Sequence, residues 1–285
     1  MVVDAHHHLW DPAHRDYPWM GAELAAIRRR FDAADLKPLL DANGIDRTVV
    51  VQTVSSLEET RELLRAAAAN EFIAGVVGWV DLTDPSVDKT LSELLGSEGG
   101  RFLVGIRHQV HDEPDPEWLL RDDVQRGIAA VGEAGLAYDV LVRTRELPAA
   151  LETAKRHAGV RFVVDHAAKP RIAAGARDPA WEQALAPLAG FANVTCKLSG
   201  LVTEADWKAW TPGDLEPYVK RVLEWFGPER CMFGSDWPVC LLAAPYGNVV
   251  KAMRSIAGND ANVFGDTATR VYGLEEIKKA GGPRG

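Results

Sequence analysis

The sequence predicts a (β/α)8 TIM barrel. Three observations lead there. First, eight short apolar segments recur along the 285 residues, and amphipathic helical patterns separate most of them. Strands that alternate with helices build a parallel sheet. Second, no composition break or Gly/Ser linker divides the chain, so one domain over residues 1–285 is expected, within reach of an α/β barrel. Third, polar and titratable residues follow directly on the apolar segments, where barrel sites gather. The competing doubly wound sheet would usually carry a Gly-rich phosphate loop, and none is present.

The elements follow in order. The first strand is expected at residues 2–4, just before His6-His7-His8. A long connection over 10–31 contains Pro12, Tyr17, Pro18 and Trp19 and reads as a lid or a surface excursion. A helix over 35–43 stops at Gly44, a good C-terminal signal. Strand 48–51 leads to Ser56-Leu57-Glu58-Glu59, a capping-box pattern that opens a helix running to 69. Strand 73–80 precedes helix 86–95, and strand 103–107 precedes helix 122–134. Strand 137–142 precedes helix 147–157, and strand 161–164 precedes helix 181–188. Strand 194–197 precedes helix 214–225. Strand 231–233 and helices 248–256 and 267–272 close the pattern.

Composition narrows the function. With 47% hydrophobic and 26% charged residues, the chain is globular rather than disordered. A balance of 32 basic against 41 acidic residues gives a net charge of −9, which argues against nucleic-acid and anionic-membrane partners. No apolar stretch is long enough to span a bilayer. The N-terminus lacks a signal-peptide pattern, so a cytoplasmic location is expected. Cys196, Cys231 and Cys240 are too few for a disulfide framework or a Cys-rich zinc site. There is no Gly-x-Ser-x-Gly elbow, P-loop or His-Glu-x-x-His. Oligomeric state is left open, a homo-oligomer included.

The strand ends carry the chemistry. His6 and His8 are two apart and project to the same side of a strand, into the barrel, while His7 points away. Two inward imidazoles suit a divalent metal or proton transfer, or form a hydrogen-bonded structural pair. Asp236 follows the eighth strand, where desolvation would raise its basicity and suit a general base. His166 follows the sixth strand and is placed to polarise a carbonyl. Arg107 ends the fourth, and a buried guanidinium there needs an acceptor such as a developing oxyanion or a structural carboxylate. Gln52, His108, Lys169 and Tyr246 are candidates for reading substrate hydroxyls. Trp10 and Trp237 are candidates for the apolar walls of a ring-shaped ligand.

Asp4-Ala5-His6-His7-His8-Leu9-Trp10 resembles the opening motif of the amidohydrolase superfamily (amidohydrolase family 2), in the branch that contains L-fuconolactonase and L-rhamnonolactonase. Gly105-Ile106-Arg107-His108, Asp165-His166-Ala167-Ala168-Lys169-Pro170, Cys196-Lys197-Leu198-Ser199-Gly200-Leu201 and Gly234-Ser235-Asp236-Trp237-Pro238-Val239 are typical of that branch. The resemblance implies a (β/α)8 barrel that hydrolyses a sugar lactone, with Asp236 activating water. It also implies that His6 and His8 match the superfamily's strand-one pair and His166 its strand-six histidine. The bridging carboxylated lysine of binuclear members has no counterpart, since strand four ends in Arg107 and His108. No obligatory cofactor is therefore expected, and a single zinc on His6, His8 and Asp236 is compatible with the residues. The alternatives are a zinc-dependent decarboxylase on the same barrel and a non-catalytic barrel that binds a sugar acid.

Overall fold

The computed structural model describes residues 1–175 and 177–274. Eight parallel strands follow one another around a barrel in sequence order. They are β1 (Val3–His7), β2 (Arg47–Val51), β3 (Ile73–Gly78), β4 (Leu103–His108), β5 (Ala137–Val140), β6 (Arg161–Val164), β7 (Val194–Leu198) and β8 (Cys231–Phe233). Closure falls just beyond β8. The Asp236 amide donates to the His6 carbonyl at 2.8 Å, and the His8 amide donates to the Trp237 carbonyl at 2.7 Å. These bonds carry β1 past the expected stop at residue 4 and into the histidines.

Helices wrap the outside: α1 (Ala33–Asn43), α2 (Leu57–Ala69), α3 (Val87–Leu95), α4 (Asp122–Glu133), α5 (Leu147–Arg156), α6 (Pro179–Leu185), α7 (Leu201–Glu204), α8 (Pro212–Phe226), α9 (Tyr246–Ala257) and α10 (Thr267–Tyr272). Gly44 ends α1 in the left-handed conformation, as its position suggests. The capping box at Ser56 is only half formed. Ser56 accepts from the Glu59 amide, but the Glu59 carboxylate turns to the Thr53 and Val54 amides. That contact ties the end of β2 to α2.

Two apolar shells result. The larger lies between sheet and helices. The smaller fills the barrel interior with Val3, Ala5, Val51, Val77, Val163 and Met232, and Val271 and Tyr272 of α10 plug it together with Leu274 just beyond. This packing leaves the opposite end of the barrel, at the strand C-termini, free to hold polar groups.

Candidate active site

β1 delivers two inward imidazoles. His7 points outward, its Nε2 2.9 Å from the Thr48 hydroxyl. The His8 Nδ1–H donates to the Val51 carbonyl at 2.8 Å, which directs Nε2 toward Asp236 Oδ1, 3.2 Å away. His6 Nε2 lies 3.3 Å from His8 Nε2. His166 enters from the end of β6, its ring centroid 4.5 Å from that of His6, and its Nδ1 is 2.9 Å from the Ser199 hydroxyl. His6, His166 and Asp236 each offer one donor atom, all within 4.8 Å of one another. The expected zinc set of His6, His8 and Asp236 is also brought together, its donor atoms within 3.8 Å of one another, and His166 adds a further imidazole to the same cluster.

The backbone that presents these groups is strained. His166, Ala167, Ala168 and Lys169 form an unbroken left-handed run, with φ between 48° and 57°, and Asp236 sits at φ 58°. Left-handed backbone costs an L-residue about 1–2 kcal/mol, so this run is held by its surroundings. Trp181 supplies one hold, its indole N–H donating to the Ala167 carbonyl at 2.6 Å. Gly200 is required beside it. At φ 63°, a Cβ there would lie 2.5 Å from His166 Nδ1.

A buried charge network lies beneath. Lys197, wholly enclosed, places its ammonium 2.6 Å from Asp139, 3.0 Å from Asp165 and 3.2 Å from His6 Nδ1. Arg107 donates to Asp165 at 2.9 Å and to the Gln52 carbonyl, and its Nη1 is 3.3 Å from His6 Nε2. Tyr272, from α10, donates to Asp139. Charges withdrawn from water this completely persist only when paired. Burial raises the Asp139 carboxyl to about 6, against the pull of Lys197. Burial acts the same way on Asp165, but there Lys197, His6 and Arg107 prevail and hold it well below the usual range.

Asp236 departs from expectation in the same manner. Burial alone would raise it, but His166, His8 and His6 outweigh burial and keep the carboxyl low. Burial pushes His6 down, and it pushes His166 down to about 3. Burial thus favours the neutral form of His6 and His166 beside an ionised Asp236 carboxylate. Those are the protonation states that a metal ligand needs, so the donor set fits a divalent ion.

The site opens into a cleft of about 420 Å³. His8, Arg107, His166, Lys169 and Asp236 line it, as expected. Lys169 is also paired with Glu204 at 3.0 Å. Five expected substrate contacts lie elsewhere. Trp10 is buried behind His8, its indole donating to the Ile27 and Arg29 carbonyls. Gln52 is enclosed between strands and donates to the Arg107 carbonyl. His108 stacks on Trp118 and spends its nitrogens on Trp79 and Glu113. Tyr246 is buried and donates to Asp4, which in turn accepts from the Ser235 amide. Trp237 packs against Phe31 in the core. All five satisfy the interior rather than the cleft.

The cleft's other walls come from loops. Gln109, His111 and Arg143 follow β4 and β5, Trp207 follows α7, and Trp19 and Leu24 lie on the 10–31 connection. That connection therefore reaches the mouth. The usable signal was proximity in sequence to a strand end, which marks Gln109 and Arg143 but not Trp19 or Leu24. A second hollow of about 480 Å³ lies beside Trp210, Pro212 and Asn248, and its lining holds no carboxylate or imidazole.

A parallel barrel whose first, sixth and eighth strands meet in a cluster of imidazoles and a carboxylate is built as a (β/α)8 enzyme. The chain belongs to the amidohydrolase family, whose sequence model matches residues 3–274. It is 42% identical over 285 residues to an L-fucono-1,5-lactonase from Burkholderia ambifaria, and 39% identical over 289 residues to one from Burkholderia multivorans. Each match covers 96% of both proteins. A crystal structure of an amidohydrolase from Burkholderia multivorans with bound zinc superposes with a TM-score of 0.90 at 38% identity, covering 96% of this chain and 99% of that one.

Proposed function

We propose that this chain is a hydrolase that opens a sugar lactone to its sugar acid, working as a single barrel domain, with L-fucono-1,5-lactone the first substrate to try. The observation that carries the reading is the Asp236 carboxylate, held ionised at the floor of the cleft beside His166 and Arg107. The likeness to two L-fucono-1,5-lactonases supports it.

Asp236 accepts a proton from water as the water oxygen bonds to the lactone carbonyl carbon. General-base help of this kind gives about 10² to 10⁴ in rate. The carbonyl oxygen gains negative charge. Arg107, which lines the cleft, faces it with a guanidinium fixed by Asp165 and Gln52. Such a preorganised donor stabilises charge as it develops. His166, oriented by Ser199, is the second donor candidate. The bond to the ring oxygen then breaks, and the proton on Asp236 passes to that oxygen. The new carboxylic acid ionises and releases one proton. A single zinc held by His6 and Asp236 together with His8 or His166 would, when bound, acidify water and polarise a carbonyl. The acid–base steps above belong to the chain's own residues, and no metal is required for them.

Among the described residues, no helix is long and apolar enough to cross a membrane. The three cysteines are free and buried, which suits a reducing cytoplasmic setting. The net charge of −9 supports a small-molecule partner rather than nucleic acid.

The test is proton release from a panel of aldonolactones, followed with a pH indicator against a no-enzyme blank. Enzyme-dependent release is expected, L-fucono-1,5-lactone included. Release no faster than the blank across the panel would overturn the reading. Repeating the assay after dialysis against a chelator is expected to leave most of the activity.

A further inference from the structure

The cleft has two unlike walls. On the side of β4 and β5 it is mostly polar, with Gln109, His111, Asp112 and Arg143 around a single Leu141 beyond the ends of those strands. On the side of β8 and β1 it is apolar. There Val239 and Leu242, in the turn over 239–242, meet Leu24 from the turn over 22–27, and the two turns pack together. All three side chains are only partly buried, so apolar surface is left to the cleft. Val239 lies three residues beyond Asp236, which starts this wall beside the reacting centre. A ligand bearing hydroxyls on every edge would leave one of them without a partner there.

We propose that Leu24, Val239 and Leu242 form a methyl subsite that selects lactones whose exocyclic carbon is deoxygenated. The inference rests on the lactone-opening reading above. In a six-membered 1,5-lactone, C5 carries both the ring oxygen and the exocyclic C6. With the carbonyl over Asp236 and the ring hydroxyls toward Arg143, C6 faces the apolar wall. A methyl there leaves water at no cost, whereas a hydroxymethyl buries an unpaired hydroxyl. Hydrophobic pockets separate such pairs by about 10- to 100-fold and no more.

The experiment compares kcat/KM for L-fucono-1,5-lactone and L-galactono-1,5-lactone, which differ only in the 6-hydroxyl. It uses the whole chain and the variants Leu24→Asn and Leu242→Asn, each checked for native circular dichroism. The parent is expected to favour the methyl compound by about tenfold or more. Each folded variant is expected to bring that ratio toward one. A loss of packing alone would slow both lactones together and leave the ratio unchanged, and that result would overturn the subsite. A ratio near one in the parent would overturn it as well. Leu24 lies on the connection rather than beside β8, so it gives a second test should Leu242→Asn fail to fold. Hydrolysis of neither compound, nor of any other aldonolactone, would instead remove the lactonase reading and this inference with it.

Discussion

Asp236 has two tasks that pull against each other: it must stay ionised in a dry site, and it must still accept a proton. The imidazoles around it settle the first, and placement against the substrate carbonyl serves the second. Asp236→Asn keeps the shape and removes the base, so turnover is expected to fall by at least about 10² with an unchanged circular dichroism spectrum. His108 illustrates the opposite outcome. Its strand-end position marked it for substrate, yet Trp118 covers its face and Trp79 and Glu113 occupy its nitrogens. Burial holds His108 below its ordinary value of 6.5. The folded state therefore binds fewer protons than the unfolded state just below that pH, and its share of stability is lost as pH falls. Urea unfolding from pH 7 to 5 is expected to show a shallower decline in His108→Gln than in the parent. A residue's nearness to the mouth was thus readable from sequence, but the direction of its side chain was not. That direction depends on partners such as Glu113, or Asp4 for Tyr246, which only the closed barrel brings into range.

At the scale of elements, all eight strands stood out because each is a short apolar run between helical patterns. α7 did not, because four residues carry no period to detect. Nor did the left-handed run at His166–Lys169, whose residue types give no warning of positive φ. This run makes an unusual prediction. Glycine in place of alanine normally costs about 1 kcal/mol in regular structure. Ala167→Gly is expected to cost nothing or to raise the melting temperature, since it relieves backbone strain, while Ala150→Gly within α5 should lower it. Gly200→Ala works in reverse. It forces a Cβ into a left-handed position and against His166. A loss of about 2 kcal/mol in stability is expected, within the range for strained sites, together with reduced turnover.

For the whole molecule, the two ends of the barrel divide the labour. α10 seals one end with apolar side chains, and the other end carries the polar groups of the site. Tyr272 joins the two, reaching from the plug to Asp139 and through Lys197 to His6. Tyr272→Phe leaves Asp139 short of a donor and is expected to cost about 1–3 kcal/mol in urea unfolding. The barrel closure has a further consequence, for how the protein is made. His8 and Asp236 stand 228 residues apart in the chain yet touch across the seam between β1 and β8. On a ribosome the histidines emerge early and wait, chemically idle, until almost all the rest has been synthesised. Until then the growing sheet has two bare edges and an open interior, the state most exposed to mispairing with a neighbour. A nascent chain of this design is thus exposed to mispairing before it is a catalyst, and no fragment that lacks either flank of the seam is expected to turn over substrate.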